Sequence, residues 1–236
     1  MEKEKIHCRL QQKKTMPSPY EWAAELKDGV YHFSFSECLS WLKASGKHHF
    51  GEGFSLFSED QALIYRLIVY AIGDEVACRK YGIQMDKGIL LTGPVGCGKT
   101  TLMLLINSFF PPMKQFQMKS ARELSFEFEK QGYDLIGRYG KPMVHASTGK
   151  YRNGIYCFDD LGVEQSQKFY GNECNVMAEI LLSRYELYAQ KRILTHATTN
   201  LSASELESRY GNRVRSRMRE LFNLIAFDSN SKDKRK

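Results

Sequence analysis

An α/β domain with a parallel sheet is what this sequence predicts, and three observations predict it. Short apolar runs alternate with longer segments of helical period. The first such run, Gly88-Ile89-Leu90-Leu91-Thr92, leads into a glycine-rich loop, and an apolar helical run leaves it. A later run, Ile155-Tyr156-Cys157-Phe158, ends in the carboxylate pair Asp159-Asp160. Strand, loop and helix in that order is the unit from which parallel sheets are assembled. With 236 residues and 42% hydrophobic content, the chain can build one such domain plus a smaller segment.

The loop reads Gly93-Pro94-Val95-Gly96-Cys97-Gly98-Lys99-Thr100, followed by Thr101. Gly, four residues, then Gly-Lys-Thr is the P-loop spacing. Its glycines let successive backbone N–H groups curl around a phosphate. The helix that follows adds the partial positive charge of its N-terminus. Residues 93 to 101 are therefore expected to hold ATP, with Lys99 on the β- and γ-phosphates and Thr100 on Mg²⁺. Asp159 is expected to face the same Mg²⁺. Asp160 is expected to orient or polarise the attacking water. A fourth strand, Arg192 to Asn200, would place Asn200 at the carboxyl end of the sheet, where ligands bind, to hold the same water.

The net charge of +7 favours an anionic partner, nucleic acid being the common one. Six cysteines without a C-x-x-C pair argue against a zinc site or a disulfide framework. The start lacks the apolar stretch of a signal peptide, and no apolar run is long enough to span a membrane. A reducing cytoplasm is the expected compartment.

Residues 1 to 58 carry both tryptophans and many aromatics. Two readings stand: a small core or docking face, or a stacking surface for single-stranded bases. A short helix is expected over 35–43. Next, Ser58 is expected to cap one long helix from 59 to 81, with Val76 on its buried face, closed by Gly82. The linker 83–87 is expected to cover an adenine. A second strand is expected at 115–118, then a helix from Ser120 to about 129. A polar stretch from 131 to 154 follows, whose Lys141, His145, Lys150 and Arg152 track a phosphate backbone or simply face solvent. A helix is expected over 172–190, and another opens at the capping box Ser202 with Glu205 and closes at Gly211. The run after it holds five arginines between Arg209 and Arg219. A planar, permanently charged fork suits phosphate. A fifth strand at 224–227 and a solvated basic tail, 229–236, complete the reading.

Together, Gly93 to Thr100, Asp159-Asp160-Leu161-Gly162, Thr198-Thr199-Asn200-Leu201, and Arg209-Tyr210-Gly211 with Val214 and Ser216-Arg217-Met218 resemble the AAA+ ATPases of the DnaC-like helicase-loader type and the IstB transposition ATPases. The resemblance covers about residues 60 to 228. It implies a three-layer sandwich with a five-stranded parallel sheet in the order 5-1-4-3-2. It implies Asn200 as the sensor-1 residue and Arg217 as an arginine finger for the nucleotide of a neighbouring subunit. An ATPase domain over 59–228 would then work as a homo-oligomer with a replicative helicase on single-stranded DNA. The second Walker B acid is Asp160 rather than Glu, and the chain leaves no room for the helical lid of most AAA+ proteins, so slow turnover is expected. Residues 1–58 would serve as the partner-binding arm. Open alternatives are an IstB-like helper of a transposase, a small-molecule kinase with a P-loop, and a nucleotide-gated module without turnover.

Overall fold

The structure, a computed structural model, describes residues 16–141, 143–144, 151–152 and 154–235. Its elements in chain order are α1 (Pro19–Ala23), β1 (Ala24–Lys27), β2 (Val30–Phe33), α2 (Phe35–Phe50), α3 (Gln61–Ile72), α4 (Glu75–Lys80), β3 (Gly88–Thr92) and α5 (Lys99–Ile106). Then come β4 (Gln117–Ser120), α6 (Ala121–Gln131), α7 (Tyr133–Gly140), β5 (Met143–Val144), β6 (Tyr151–Arg152) and β7 (Tyr156–Leu161). The last are β8 (Gln167–Phe169), β9 (Asn172–Cys174), α8 (Val176–Lys191), β10 (Thr195–Thr199), α9 (Ala203–Leu221) and β11 (Phe222–Ala226).

The central sheet is parallel, in the order β11-β3-β10-β7-β4. Numbering those five strands along the chain gives 5-1-4-3-2, as the resemblance implied. Side chains alternate across a strand, so each central strand feeds two cores. From β3, Ile89 and Leu91 join one cluster with Leu67 of α3, Met103 of α5 and Phe109. Leu90 joins the other, with Leu124 of α6, Met177 and Ile180 of α8, and Met218 of α9. Helices cover both faces, giving three layers.

The N-terminal aromatics dock. Trp41 of α2 is 3% exposed, stacks edge-on against Phe109 at 5.2 Å, and donates its indole N–H to the Pro17 carbonyl at 2.8 Å. Tyr20 donates its hydroxyl to the Phe109 carbonyl at 2.9 Å. The helix expected over 35–43 runs on to Phe50 and shares the core of the main domain.

Three element readings change. The single helix expected over 59–81 is two. Gly73 ends α3 in the left-handed conformation (φ 83), and Asp74 caps α4 by accepting from the Ala77 N–H at 2.9 Å. The turn rotates α4 away from the periodic face, and Val76, expected buried, is 79% exposed. The first residues of the helix expected over 172–190 belong instead to the hairpin β8–β9, and α8 starts only at Val176, capped by Asn175. The tail expected to be solvated is not free: Lys234 of the 228–235 segment pairs with Asp60, each side chain 11% exposed. Gly211 interrupts α9 with a non-helical φ of 81, where the sequence placed a helix end. Of the basic residues read between 131 and 154, His145 and Lys150 lie outside the described residues, as does the Arg152 side chain.

Candidate functional site

β3 ends at Thr92 and the glycine loop turns over its carboxyl end into α5. Gly96 and Gly98 hold φ values of 79 and 97, left-handed conformations that other residues adopt at a cost of about 1 kcal/mol or more. Gly93 is needed for space: a Cβ there would meet the Phe227 side chain at 2.7 Å and the Cys97 sulfur at 3.0 Å. Val95 projects outward, 57% exposed, and Cys97 is buried beneath the loop. Gly98 stands at the N-cap of α5 without a side-chain cap, so the first N–H groups of the helix face the loop's concavity.

Lys99 is 6% exposed, and its ammonium donates to the carbonyls of Gly93 and Pro94, both at 2.9 Å. One residue on, the Thr100 hydroxyl donates to the two carboxylate oxygens of Asp159 at 2.9 and 3.0 Å. β7 and β3 are separated by β10, and β10 supplies the third member of this group. Thr198 donates its hydroxyl to Asp159 Oδ1 at 2.6 Å and accepts the Asp160 N–H at 2.8 Å. Asp160 itself sits at φ 55, a strained conformation for an aspartate, beside an irregularity in the β10–β7 register. Burial first and the Asp159 charge second push its carboxyl above the ordinary range, while Lys99 and Arg235 pull it back.

The residues expected to meet do so in part. Lys99, Thr100, Asp159 and Asp160 gather at one end of the sheet. Thr199 aligns with Leu161 and with Thr92, so Asn200 follows at that same end, and it is solvent-exposed. Arg217 does not join them. It lies on α9, its guanidinium 4.3 Å over the Tyr185 ring and bonded to Glu220 at 3.1 Å, with 40% of the side chain exposed. Two residues were missed by the reading of the sequence. Thr198 was seen only as part of a motif, although its place two residues before Asn200 on a strand puts it on the same face. Glu164, buried, accepts the Gly162 N–H at 2.8 Å and the Tyr210 hydroxyl, fixing the loop after β7 to α9. No motif in the sequence marks it.

The linker 83–87 is not beside the loop. It reaches the amino end of β3, where Asn223 bonds the carbonyls of Gln84, Lys87 and Gly88. The glycine loop leaves the other end of that strand. A cavity of about 140 Å³ does adjoin the loop, lined by Phe57, Asp60, Ile64, Gly96, Thr101 and Phe227 among others.

The donor set fits a phosphate chain and a hard divalent cation. The loop offers backbone N–H groups and an ammonium, and Thr100 with Asp159 offers hydroxyl and carboxylate oxygens, the ligands Mg²⁺ takes alongside phosphate. No group of three or more metal-ligating side chains occurs among the described residues. Nor is any described helix long and apolar enough to cross a membrane.

No family model matches the chain. An uncharacterized protein of Schizosaccharomyces pombe is 30% identical over 128 residues, which are 52% of this chain and 26% of that protein. The chain thus spans about a quarter of the length of that relative. Among solved structures, the DnaI crystal structure aligns with 74% of this chain and 88% of its own, at 19% identity and a TM-score of 0.51. The DnaC helicase loader aligns with 74% of this chain and 93% of its own, at 18% identity and a TM-score of 0.47. Strand order, glycine loop and helical layers together give this chain the fold of the AAA+ P-loop proteins.

Proposed function

We propose that this protein is a Mg²⁺-dependent ATPase of helicase-loader type, acting as an oligomer on single-stranded DNA with a replicative helicase. The observation that carries the ATPase reading is the bond from the Thr100 hydroxyl to both oxygens of Asp159 at the foot of the glycine loop. It joins the two motifs on strands that are not sheet neighbours. The Mg²⁺ held there would offset charge on the β- and γ-phosphate oxygens. Lys99 turns from the loop carbonyls to the phosphates. Asp160 orients the attacking water and takes its proton, and Asn200 holds that water from β10. The cavity beside Phe57 and Thr101 receives the base. Arg217, exposed and away from its own subunit's loop, is assigned the nucleotide of the next subunit, a reading supported by its motif alone. The loader assignment rests on the motif set from Asp159 to Met218, and the IstB-like reading shares every one of these residues.

Three variants test the scheme. Lys99→Ala is expected to abolish nucleotide binding. Asp160→Asn is expected to bind ATP and not hydrolyse it. Arg217→Ala is expected to bind as the parent does and hydrolyse about 1,000-fold more slowly. Loss of binding together with turnover in Arg217→Ala would end the trans assignment. Sizing the protein with an ATP analogue and single-stranded DNA reads the oligomer. Pull-down with a replicative helicase against a transposase separates the two partner readings, and stimulation by a metabolite instead of DNA would favour the kinase.

A further inference from the structure

Beyond β11 the chain does not leave the site. Phe227 donates its N–H to the Thr92 carbonyl at 2.9 Å, at the root of the glycine loop. A turn over Asp228 to Ser231 returns the chain to the loop, where the Lys234 N–H donates to the Gly96 carbonyl at 2.9 Å. The Lys234 ammonium then pairs with Asp60 in the wall of the cavity, 4.9 Å from the centre of the Phe57 ring and 5.0 Å from that of Phe227. This backbone bond and this shielded ion pair fix the segment on the loop.

The residues on either side of Lys234 are placed by that anchor. Asp233 lies over Gly96, so close that a Cβ on the glycine would meet its carboxylate oxygen at 2.1 Å. Arg235 grips the same carboxylate with two parallel bonds, Nε at 3.1 Å and Nη2 at 2.8 Å, while lining the cavity beside the loop. Its charge is felt at Asp160, across the site. A guanidinium fork holding a carboxylate in this way is matched equally well to a phosphate.

We infer that Arg235 is a further nucleotide-binding residue, delivered to the phosphate loop in cis by the 228–235 segment, with Asp233 as its resident partner until a phosphate group replaces it. The Asp60–Lys234 pair stays in place as the anchor. The triphosphate repels the Asp233 carboxylate from Gly96 and takes over the freed fork. Asp233 therefore opposes nucleotide binding and Arg235 favours it, although both belong to one ion pair.

The inference rests on the loop being a triphosphate site, and that premise is checked first. The whole protein is titrated with a fluorescent ATP analogue in Mg²⁺, with Lys99→Ala as the blank. A parent that binds no better than the blank ends both the ATPase reading and this inference. With binding established, Arg235→Gln is expected to weaken ATP affinity about 10-fold, and Asp233→Asn to strengthen it several-fold. A merely structural pair would move both variants in the same direction. Equal affinity in Arg235→Gln and the parent, or weakening by Asp233→Asn, overturns the inference and leaves the loop's role intact. Circular dichroism melts of both variants confirm that the fold persists.

Discussion

At the scale of single residues, the side chain that organises the two carboxylates is Thr198. It bonds Asp159 through its hydroxyl hydrogen and Asp160 through its oxygen. Thr198→Val keeps the shape and loses both bonds. Positioning groups around a metal ligand are worth about 10- to 100-fold. Thr198→Val is therefore expected to lower kcat by that factor and raise the Mg²⁺ concentration needed for half-maximal rate, with ATP affinity in the absence of metal unchanged. Titrating activity with Mg²⁺ checks it. His196, two residues earlier on the same strand, carries a different prediction. It is fully buried among Tyr70, Phe110 and Phe116, with Arg184 opposing its charge, and burial first lowers its pKa to about 3. Its Nδ1 accepts the Ile89 N–H at 3.1 Å. Unfolded, it would titrate near 6.5. Between those values the unfolded chain binds the extra proton, so stability falls as pH falls from 6.5 towards 3. The expected slope is about 1.4 kcal/mol per pH unit in that window, and His196→Gln should remove it in urea melts at pH 7.5 and 5.

Elements were legible to different degrees. β4 and β10 carry polar residues and the strand order came from the resemblance alone, whereas β3 and β7 could be anticipated, because buried parallel strands read as apolar runs between helical segments. The break at Gly73-Asp74 was not, because the apolar period continues through Val76 as if nothing intervened. The local signal was present: a glycine that ends one helix, followed by an aspartate that caps the next. Asp74→Ala is expected to cost about 1 kcal/mol, read as a shift in the urea midpoint at unchanged slope. The β8–β9 hairpin was hidden for another reason. Its turn, Tyr170-Gly171, takes φ values of 49 and 84, and a tyrosine there gives no hint of a left-handed turn. Of the site, the loop and the carboxylates could be read from spacing alone. Thr198, Glu164 and Asp233 could not, since each acts through a contact between distant stretches of chain.

For the whole molecule, the described part of the segment before Ser58, residues 16–57, shares the main core. Trp41 and Leu42 belong to the cluster that contains Met103 and Ile106 of α5, the helix opened by the glycine loop. Trp41→Ala is expected to cost about 3–5 kcal/mol and to lower one cooperative transition instead of releasing a separate segment. Two transitions seen by fluorescence and calorimetry would contradict that. The net charge of +7 suits the proposed binding of single-stranded DNA, which is then expected to weaken steeply between about 50 and 200 mM salt.

The hold of Gly93 and Pro94 on the Lys99 ammonium bears on how the site would look in a calorimeter. Each bond the lysine makes to an incoming phosphate is matched by one it gives up to a carbonyl, with little water released from the ammonium itself. The contribution of Lys99 to binding should then appear mainly as heat, the Coulombic advantage of an anion over two dipoles, with little entropy of water release beside it.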